Sequence, residues 1–146
     1  MEITRQADYA VRIVLDLAEH IHGGVERSDD VARRQVVPRA YFTKVVQALV
    51  RAGYVRTLRG ARGGIQLARD PDAITLRQVI EAVEGPIYLN RCLSHPGECT
   101  LERTCPAHPV WGHIQDVLTR ELEAVTVSQM ITVRPRLARV AKRRTH

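Results

Sequence analysis

Three cysteines and one histidine in a single short segment are the residues of this sequence with the clearest chemical potential. The cysteines, the only ones in the chain, are Cys92, Cys99 and Cys105, spaced C-x6-C-x5-C, and His108 follows three residues after the last. A chain that gathers all its thiols in one such window is typical of a single ligand set. We therefore predict that residues 92–108 bind a metal centre.

Thiolates and a neutral imidazole suit two kinds of centre, zinc and an iron-sulfur cluster. Structural zinc sites usually take cysteines about two to four residues apart. The gaps here are wider and contain Pro96 and Gly97, and Pro106 directly follows the last cysteine. This spacing favours a loop that wraps a cluster, with zinc as the alternative. A disulfide or free-thiol loop ranks third, because the number of cysteines is odd and nothing indicates secretion.

Basic residues are distributed unevenly along the chain of 146 residues, whose net charge is +6. Residues 132–146 hold six basic residues and no acid, which leaves 16 of the 22 basic residues against 16 acidic ones elsewhere. Between Val31 and Arg69, nine basic residues occur without one Asp or Glu. Such an acid-free stretch is the electrostatic signature of a surface that binds nucleic acid.

Apolar periodicity predicts a helix-turn-helix that overlaps this basic stretch. A first helix extends from Thr4 to about His20, and a short second helix begins at Ser28. After a turn, Pro38 suits the first position of a third helix. The apolar stripe of that helix consists of Phe42, Val45, Val46 and Leu49. The opposite, polar and basic side is left free to face DNA.

Two short strands, 54–58 and 65–68, flank the basic, glycine-rich turn 59–64 and predict a β-hairpin. A hairpin after a helix-turn-helix is a wing. The third helix is expected to enter the major groove, and the wing to reach a minor groove or phosphates. The predicted DNA-binding residues are Arg33, Arg34, Arg39, Tyr41, Thr43, Lys44, Arg59 and Arg62.

The predicted fold class is mainly α with a small β-hairpin wing, that is, a winged helix-turn-helix plus a long dimerisation helix. The long helix has an apolar stripe, and a domain this small has little core left to cover it. This favours a homodimer seam over packing within the chain. A twofold dimer implies a palindromic operator in double-stranded DNA. The predicted segments are a winged helix-turn-helix domain (1–70), a linking helix (71–91), a cluster loop (92–108), a dimerisation helix (109–131) and a basic, disordered tail (132–146).

Several function classes are excluded or disfavoured. The sequence has no apolar run near the length of a membrane span and no signal peptide, so we expect a cytoplasmic protein that does not enter a membrane. No Ser/His/Asp or paired-carboxylate arrangement indicates an enzyme. An electron-transfer protein is disfavoured because the acid-free stretch would then have no purpose.

The sequence resembles the Rrf2 family of winged-helix transcription regulators over nearly its whole length. The resemblance rests on the cysteine loop followed by a long helix and on the segments MEITRQADYAVR, VPRAYFTKVVQALVRAGYVRTLRGARGGIQLA and ITLRQVIEAVEG. It implies a homodimer that binds a 2Fe-2S or 4Fe-4S cluster and regulates genes for cluster assembly, iron use, or nitric-oxide and redox stress.

The resemblance offers two candidates for the fourth cluster ligand. One arrangement in the family completes a 2Fe-2S site with a histidine three residues after the last cysteine, the position of His108. Another completes a 4Fe-4S site with an acidic residue of the first helix, reaching across the dimer, the position of Asp8. This sequence departs from both by one extra residue between Cys92 and Cys99. We favour His108, and with it the 2Fe-2S cluster, because its spacing is local.

Overall fold

The computed structural model describes residues 3–133, which form seven α-helices and one hairpin. The elements are α1 (Arg5–Glu19), α2 (Ser28–Gln35), α3 (Arg39–Arg51), β1 (Val55–Leu58), β2 (Gly64–Leu67), α4 (Leu76–Glu84), α5 (Arg91–Ser94), α6 (His108–Ala124) and α7 (127–133). The predicted basic tail lies, from residue 134 onward, outside the described residues.

Helix α1 is the centre of the core. Its start is capped by Thr4, whose side-chain oxygen accepts a hydrogen bond from the backbone N–H of Ala7 at 3.2 Å. Its apolar residues follow helical spacing, and Ile13 and Val14 are almost completely buried. Helices α2, α3 and α4 and strand β2 all pack against it. Because α1 contacts both helices of the helix-turn-helix and one strand of the hairpin, it fixes where the DNA-reading elements sit.

Helices α2 and α3 form the predicted helix-turn-helix. Val36 ends α2 with a φ of 54°, a left-handed conformation that is uncommon for a β-branched residue. The next residue, Val37, is buried and anchors the turn to the core. Pro38 precedes α3 rather than beginning it, so the helix starts one residue later than predicted. The sharp turn places α2 and α3 on one side of α1.

The hairpin pairs β1 and β2 in antiparallel register, with Val55 opposite Leu67. Strand β2 also bridges the segment before α2: Glu26 and Ile65 exchange two backbone hydrogen bonds of 2.8 Å. Gly64 lies so close to the backbone carbonyl of Glu26 that a Cβ atom would collide with it. A glycine is therefore required at the base of the wing, and this close contact ties the wing to the helix-turn-helix.

Helix α4 begins with a complete capping box, in which Thr75 and Gln78 each bond the other's backbone N–H. The chain beyond α6 returns to this point. Leu76 N–H donates to the carbonyl of Val125, and Val127 N–H donates to that of Ile74, both at 2.8 Å. This pairing lies between the end of α6 and the start of α7, within the segment predicted as the dimerisation helix (109–131).

The predicted fold class is confirmed: the described chain is mostly helical, with one two-stranded antiparallel hairpin in the position of a wing. Among residues 3–133, no helix is both long and apolar enough to cross a lipid bilayer.

Candidate metal centre and nucleic-acid interface

The four predicted metal ligands are carried by three consecutive pieces of backbone. Cys92 lies in α5, whose start is capped by the side chain of Asn90. Cys99 and Cys105 lie in the following loop, and the N–H of Cys105 donates to the carbonyl of Leu101 at 2.7 Å. His108 is the first residue of α6. The turns between these residues bring the ligand positions to one place.

That place is a pocket of about 510 Å³. Cys92 and Cys105 are half-buried and Cys99 is exposed, and all three are free thiols. The residues that line the pocket are Asn90, Arg91, Cys92, His95, Glu98, Cys99, Glu102, Cys105, His108 and Trp111. The structure therefore brings together the whole predicted ligand set of three cysteines and His108.

The imidazole of His108 has one nitrogen without a protein partner. Its Nδ1 is buried and accepts or donates no hydrogen bond within residues 3–133. A buried polar atom without a partner costs about 1–3 kcal/mol, so such atoms are rare in folded proteins. A nitrogen ligand of a metal centre has this property before the metal binds. The donor set of three thiols and one imidazole thus fits either an iron-sulfur cluster or zinc.

The donor atoms of this set are not gathered around one point. Within the described residues, three donor atoms mutually within 4.8 Å occur only at Asp16, His20 and Glu26, so no three of the four predicted ligands have their donor atoms that close together.

The pocket is joined to the rest of the fold by the side chain of Gln115 in α6. Its Nε2 donates to the carbonyl of Ile87 at 2.6 Å, and its Oε1 accepts from the N–H of Leu89 at 2.8 Å. These bonds hold the segment before α5 against α6. On the next turns of α6, Glu123 pairs with Arg77 of α4 at 2.9 Å. The apolar periodicity of the sequence did not indicate this role of Gln115, because the side chain hydrogen-bonds backbone groups and does not pack in the core.

Asp8, the alternative fourth ligand, lies elsewhere in the subunit. It is on α1, half-exposed, and pairs with Arg12 at 2.6 Å. The groove beside it is bordered by Ile3, Leu76 and Leu122 and by none of the cysteines. Within the described residues, Asp8 and the three cysteines therefore line different pockets.

The predicted DNA-reading face of α3 is exposed. Phe42, Val45 and Leu49 point into the core. The exposed residues along the other side include Arg39, Tyr41, Thr43 and Lys44. The ring of Tyr41 contacts that of Tyr9 edge to face, with centroids 5.5 Å apart, so α1 supports this surface directly.

The wing adds two exposed arginines, Arg59 and Arg62, in the turn between β1 and β2. On α2, Arg33 is also exposed and, within residues 3–133, forms its ion pair with Asp30, at 3.1 Å. An exposed pair of this kind is worth at most about 1 kcal/mol and gives way easily to a phosphate. These three arginines are accordingly available to DNA.

Arg34 is the exception among the predicted DNA-binding residues. Its Nε and Nη2 donate to the two carboxylate oxygens of Asp16 at 3.0 and 2.6 Å, and Nη2 also donates to Glu26 at 2.6 Å. These hydrogen bonds, to Asp16 first and then to Glu26, raise the pKa of Arg34 further above its usual value. Its guanidinium joins α2 to α1, and a contact of Arg34 with DNA stays a prediction.

The partner of Arg34, Asp16, was missed by the sequence reasoning. Its side chain is only 1% exposed and also accepts from Nε2 of Gln35 at 2.8 Å. A carboxylate that is buried within the apolar side of a helix can remain charged only if it is paired. An acid within the apolar stripe of α1 was the available signal that a basic partner lies opposite.

Comparison with known proteins identifies the family to which this arrangement belongs. The sequence model of Rrf2, described as an iron-dependent transcriptional regulator, matches residues 3–133. The chain belongs to the Rrf2 family.

Relatives of this Rrf2 protein include the HTH-type transcriptional regulator IscR of Escherichia coli O1:K1, which is 29% identical over 146 residues, 100% of this chain and 90% of that protein. Among solved structures, CymR, the global cysteine regulator of B. subtilis, superposes with a TM-score of 0.74 at 27% identity, over 90% of this chain and 97% of that one. IscR of T. potens has a TM-score of 0.72 at 26% identity, over 90% and 87%.

These relatives are transcription regulators and not enzymes. Together with the exposed basic faces of α3 and the wing, they establish the Rrf2 protein as a DNA-binding transcriptional regulator. The solved neighbours include both IscR and a cysteine regulator, so the shared fold by itself does not specify one signal.

Proposed function

We propose that this Rrf2 protein is a homodimeric regulator whose operator binding is controlled by an iron-sulfur cluster. The observation that carries the proposal is the pocket that Cys92, Cys99, Cys105 and His108 share, in which the imidazole has a buried nitrogen without a partner. His108 is the proposed fourth ligand and a 2Fe-2S cluster the favoured form. Asp8 of a second subunit with a 4Fe-4S cluster is the alternative. A bound cluster would supply sensitivity to oxidants, nitric oxide or iron supply.

The experiment for this site is an anaerobic absorption spectrum with iron, sulfide and zinc counts on the purified protein. We expect a coloured protein with visible charge-transfer bands, and with iron and inorganic sulfide in equal amounts. Colourless protein with one zinc per chain would instead show the alternative, a zinc-stapled regulator without cluster sensing.

The dimer is supported by helix α6. This helix buries none of its residues completely against the described part of the chain, although it packs on α4. Its inner side consists of half-buried residues such as Gln115, Leu118 and Leu122. Its outer side carries an exposed apolar stripe made of Val110, Trp111, Ile114 and Val117. A contiguous stripe of this kind is typical of a protein–protein contact, and twofold pairing of α6 would cover it.

Replacing Ile114 with glutamate is expected to convert the dimer to monomer at micromolar concentration, because a charge would be buried in the centre of the α6 stripe. Sedimentation velocity measures the change. Asp116, on another face of α6, provides the control: Asp116→Asn also changes the net charge by one unit and should leave a dimer. A wild-type monomer, or a dimeric Ile114→Glu variant, would contradict this seam.

DNA recognition is assigned to Arg39, Tyr41, Thr43 and Lys44 of α3 in the major groove. Arg33 and the wing arginines would contact the flanking phosphates or a minor groove. In a twofold dimer, the winged helix-turn-helix domains of both subunits would bind together to a palindromic operator with half-sites about one or two helical turns apart. Duplexes selected from random sequence by the protein should therefore contain two inverted half-sites.

Replacing both wing arginines, Arg59 and Arg62, with alanine is expected to weaken binding to all DNA sequences about equally. Each lost phosphate contact should reduce the slope of log K against log salt concentration by about 0.9 per subunit. Titrations at several salt concentrations measure that slope. Arg103→Ala, at an exposed position of the cysteine loop, is the control. An unchanged slope in the double variant would remove the wing from the DNA interface.

The structure offers a physical route from the pocket to the DNA-binding face. The cysteine loop is held by α6, α6 packs on α4, and α4 packs in turn on both α1 and α3. A change in the conformation of residues 92–108 on cluster binding would therefore alter the position of the recognition helices. A coupling of about 1–3 kcal/mol along this route would change operator affinity by about 5- to 150-fold.

A further inference from the structure

Glu102 is the one acidic residue of the cysteine loop that contacts two separate parts of it. Its Oε2 accepts a hydrogen bond of 2.6 Å from the backbone N–H of Gly97. Its Oε1 lies 4.0 Å from Nε2 of His108. Glu98, the other carboxylate of the pocket, instead pairs with the exposed side chain of Arg91. Glu98 and Glu102 thus line the same pocket but have different partners.

The bond to Gly97 joins the two intervals of the ligand loop. Gly97 lies between Cys92 and Cys99 and has a φ of 86°, a left-handed conformation suited to glycine. Glu102 lies between Cys99 and Cys105. A charged acceptor strengthens such a hydrogen bond, and Glu102 is only 24% exposed, so this contact is partly shielded from water. Glu102 therefore holds the loop in a closed shape before any metal is bound.

The contact of Glu102 with His108 affects which nitrogen of the imidazole carries the proton. A neutral imidazole carries one N–H and one lone pair, and a nearby carboxylate favours the proton on the nitrogen that faces it. Glu102 faces Nε2, whereas Nδ1 is buried and without a protein partner in the described chain. The 4.0 Å separation is an electrostatic contact rather than a hydrogen bond. Histidines that bind metals commonly have their other nitrogen oriented by a carboxylate.

We infer that Glu102 is a positioning residue of the metal site: it closes the loop through Gly97 and keeps Nε2 of His108 protonated, so that Nδ1 presents the lone pair to the metal. The inference rests on the proposed function, in which His108 is a ligand. It adds which nitrogen of His108 binds the metal and which residue selects that nitrogen. The spacing of the cysteines indicates neither.

Nuclear magnetic resonance of the metal-free full chain, with histidine side chains labelled with 15N, tests the inference. At a pH where His108 is neutral, the wild type is expected to show Nε2 protonated and Nδ1 unprotonated. Glu102→Ala should lose this preference, and the Gly97 amide should exchange at least about tenfold faster with solvent. Glu102→Gln retains an acceptor for Gly97 but no charge, so it should keep the slow exchange and lose the tautomer preference.

Glu98→Gln is the matched control and should change neither quantity. A wild type with Nδ1 protonated would overturn the inference, as would a Glu102→Ala variant with unchanged tautomer and exchange rate. Both measurements are made without metal, so they do not depend on whether a cluster binds. Failure of the proposed function would be seen separately, as absence of iron and sulfide from the anaerobic wild type.

Discussion

Replacing Arg34 with methionine is expected to lower the free energy of unfolding by about 3 kcal/mol. The variant leaves the carboxylate of Asp16, 1% exposed, with Gln35 as its main remaining side-chain partner. A buried charge that loses its partner costs about 3–5 kcal/mol, and partial exposure of Arg34 places this case at the lower end. Urea unfolding of the metal-free protein, followed by circular dichroism, measures the change.

The adjacent Arg33 is the matched control, because Arg33→Met removes the same charge from the same helix. Its exposed pair with Asp30 should contribute less than about 1 kcal/mol. A double variant, Asp16→Leu with Arg34→Met, removes the buried carboxylate together with its partner and should recover much of the loss. Equal stability of the Arg33 and Arg34 variants would show that the pair with Asp16 does not hold α2 to α1.

The second large effect is expected at the cysteines. Alanine at Cys92, Cys99 or Cys105 should abolish the visible absorption and leave little iron or sulfide after anaerobic purification, because each thiolate would be a direct ligand of the cluster. The fold should survive, since none of the three side chains belongs to the buried core. Iron and sulfide assays and the unfolding free energy of each metal-free variant measure the two parts.

His95→Ala is the control for the cysteine variants. His95 lines the same pocket, but its Nδ1 lies 2.7 Å from the hydroxyl of Ser94 and it is exposed. This variant should keep its full iron and sulfide content. A cysteine variant that retains the wild-type content would remove that cysteine from the site, and loss of the cluster in His95→Ala would add a ligand to the proposed set.

Local patterns were sufficient to predict the elements of the fold. The first helix from Thr4, the two helices of the helix-turn-helix and the apolar stripe around Val45 were all readable from spacing, and the structure confirms them. The wing was readable too, since its basic turn separates two short strands. Each of these features depends on residues within a few positions of one another, where helix and strand geometry dictates the contacts.

The role of Arg34 was not predictable in that way. The acid-free stretch correctly indicated a basic surface, but it could not show that one of its arginines turns inward to Asp16, 18 residues earlier in the chain. That pairing depends on how α2 packs on α1. The return of the chain after α6 to the start of α4 has the same origin, because it consists of backbone bonds between segments far apart in the sequence.

The metal site was predictable in composition but not in arrangement. The residue types and spacing gave the ligand set of Cys92, Cys99, Cys105 and His108, which the structure places around one pocket. The contacts of Glu102 and Gln115 could not be foreseen, because both bond backbone groups of irregular segments that have no periodicity. Asp8 was foreseen only through the family resemblance, and its assignment requires a second subunit.

The most direct test of the central claim is the affinity of one selected operator for the same protein preparation with its cluster and after the cluster has been removed, measured anaerobically at fixed salt concentration. If the cluster controls DNA binding, the two dissociation constants should differ by about 5- to 150-fold. Equal affinity of the cluster-loaded and cluster-free protein would contradict the claim.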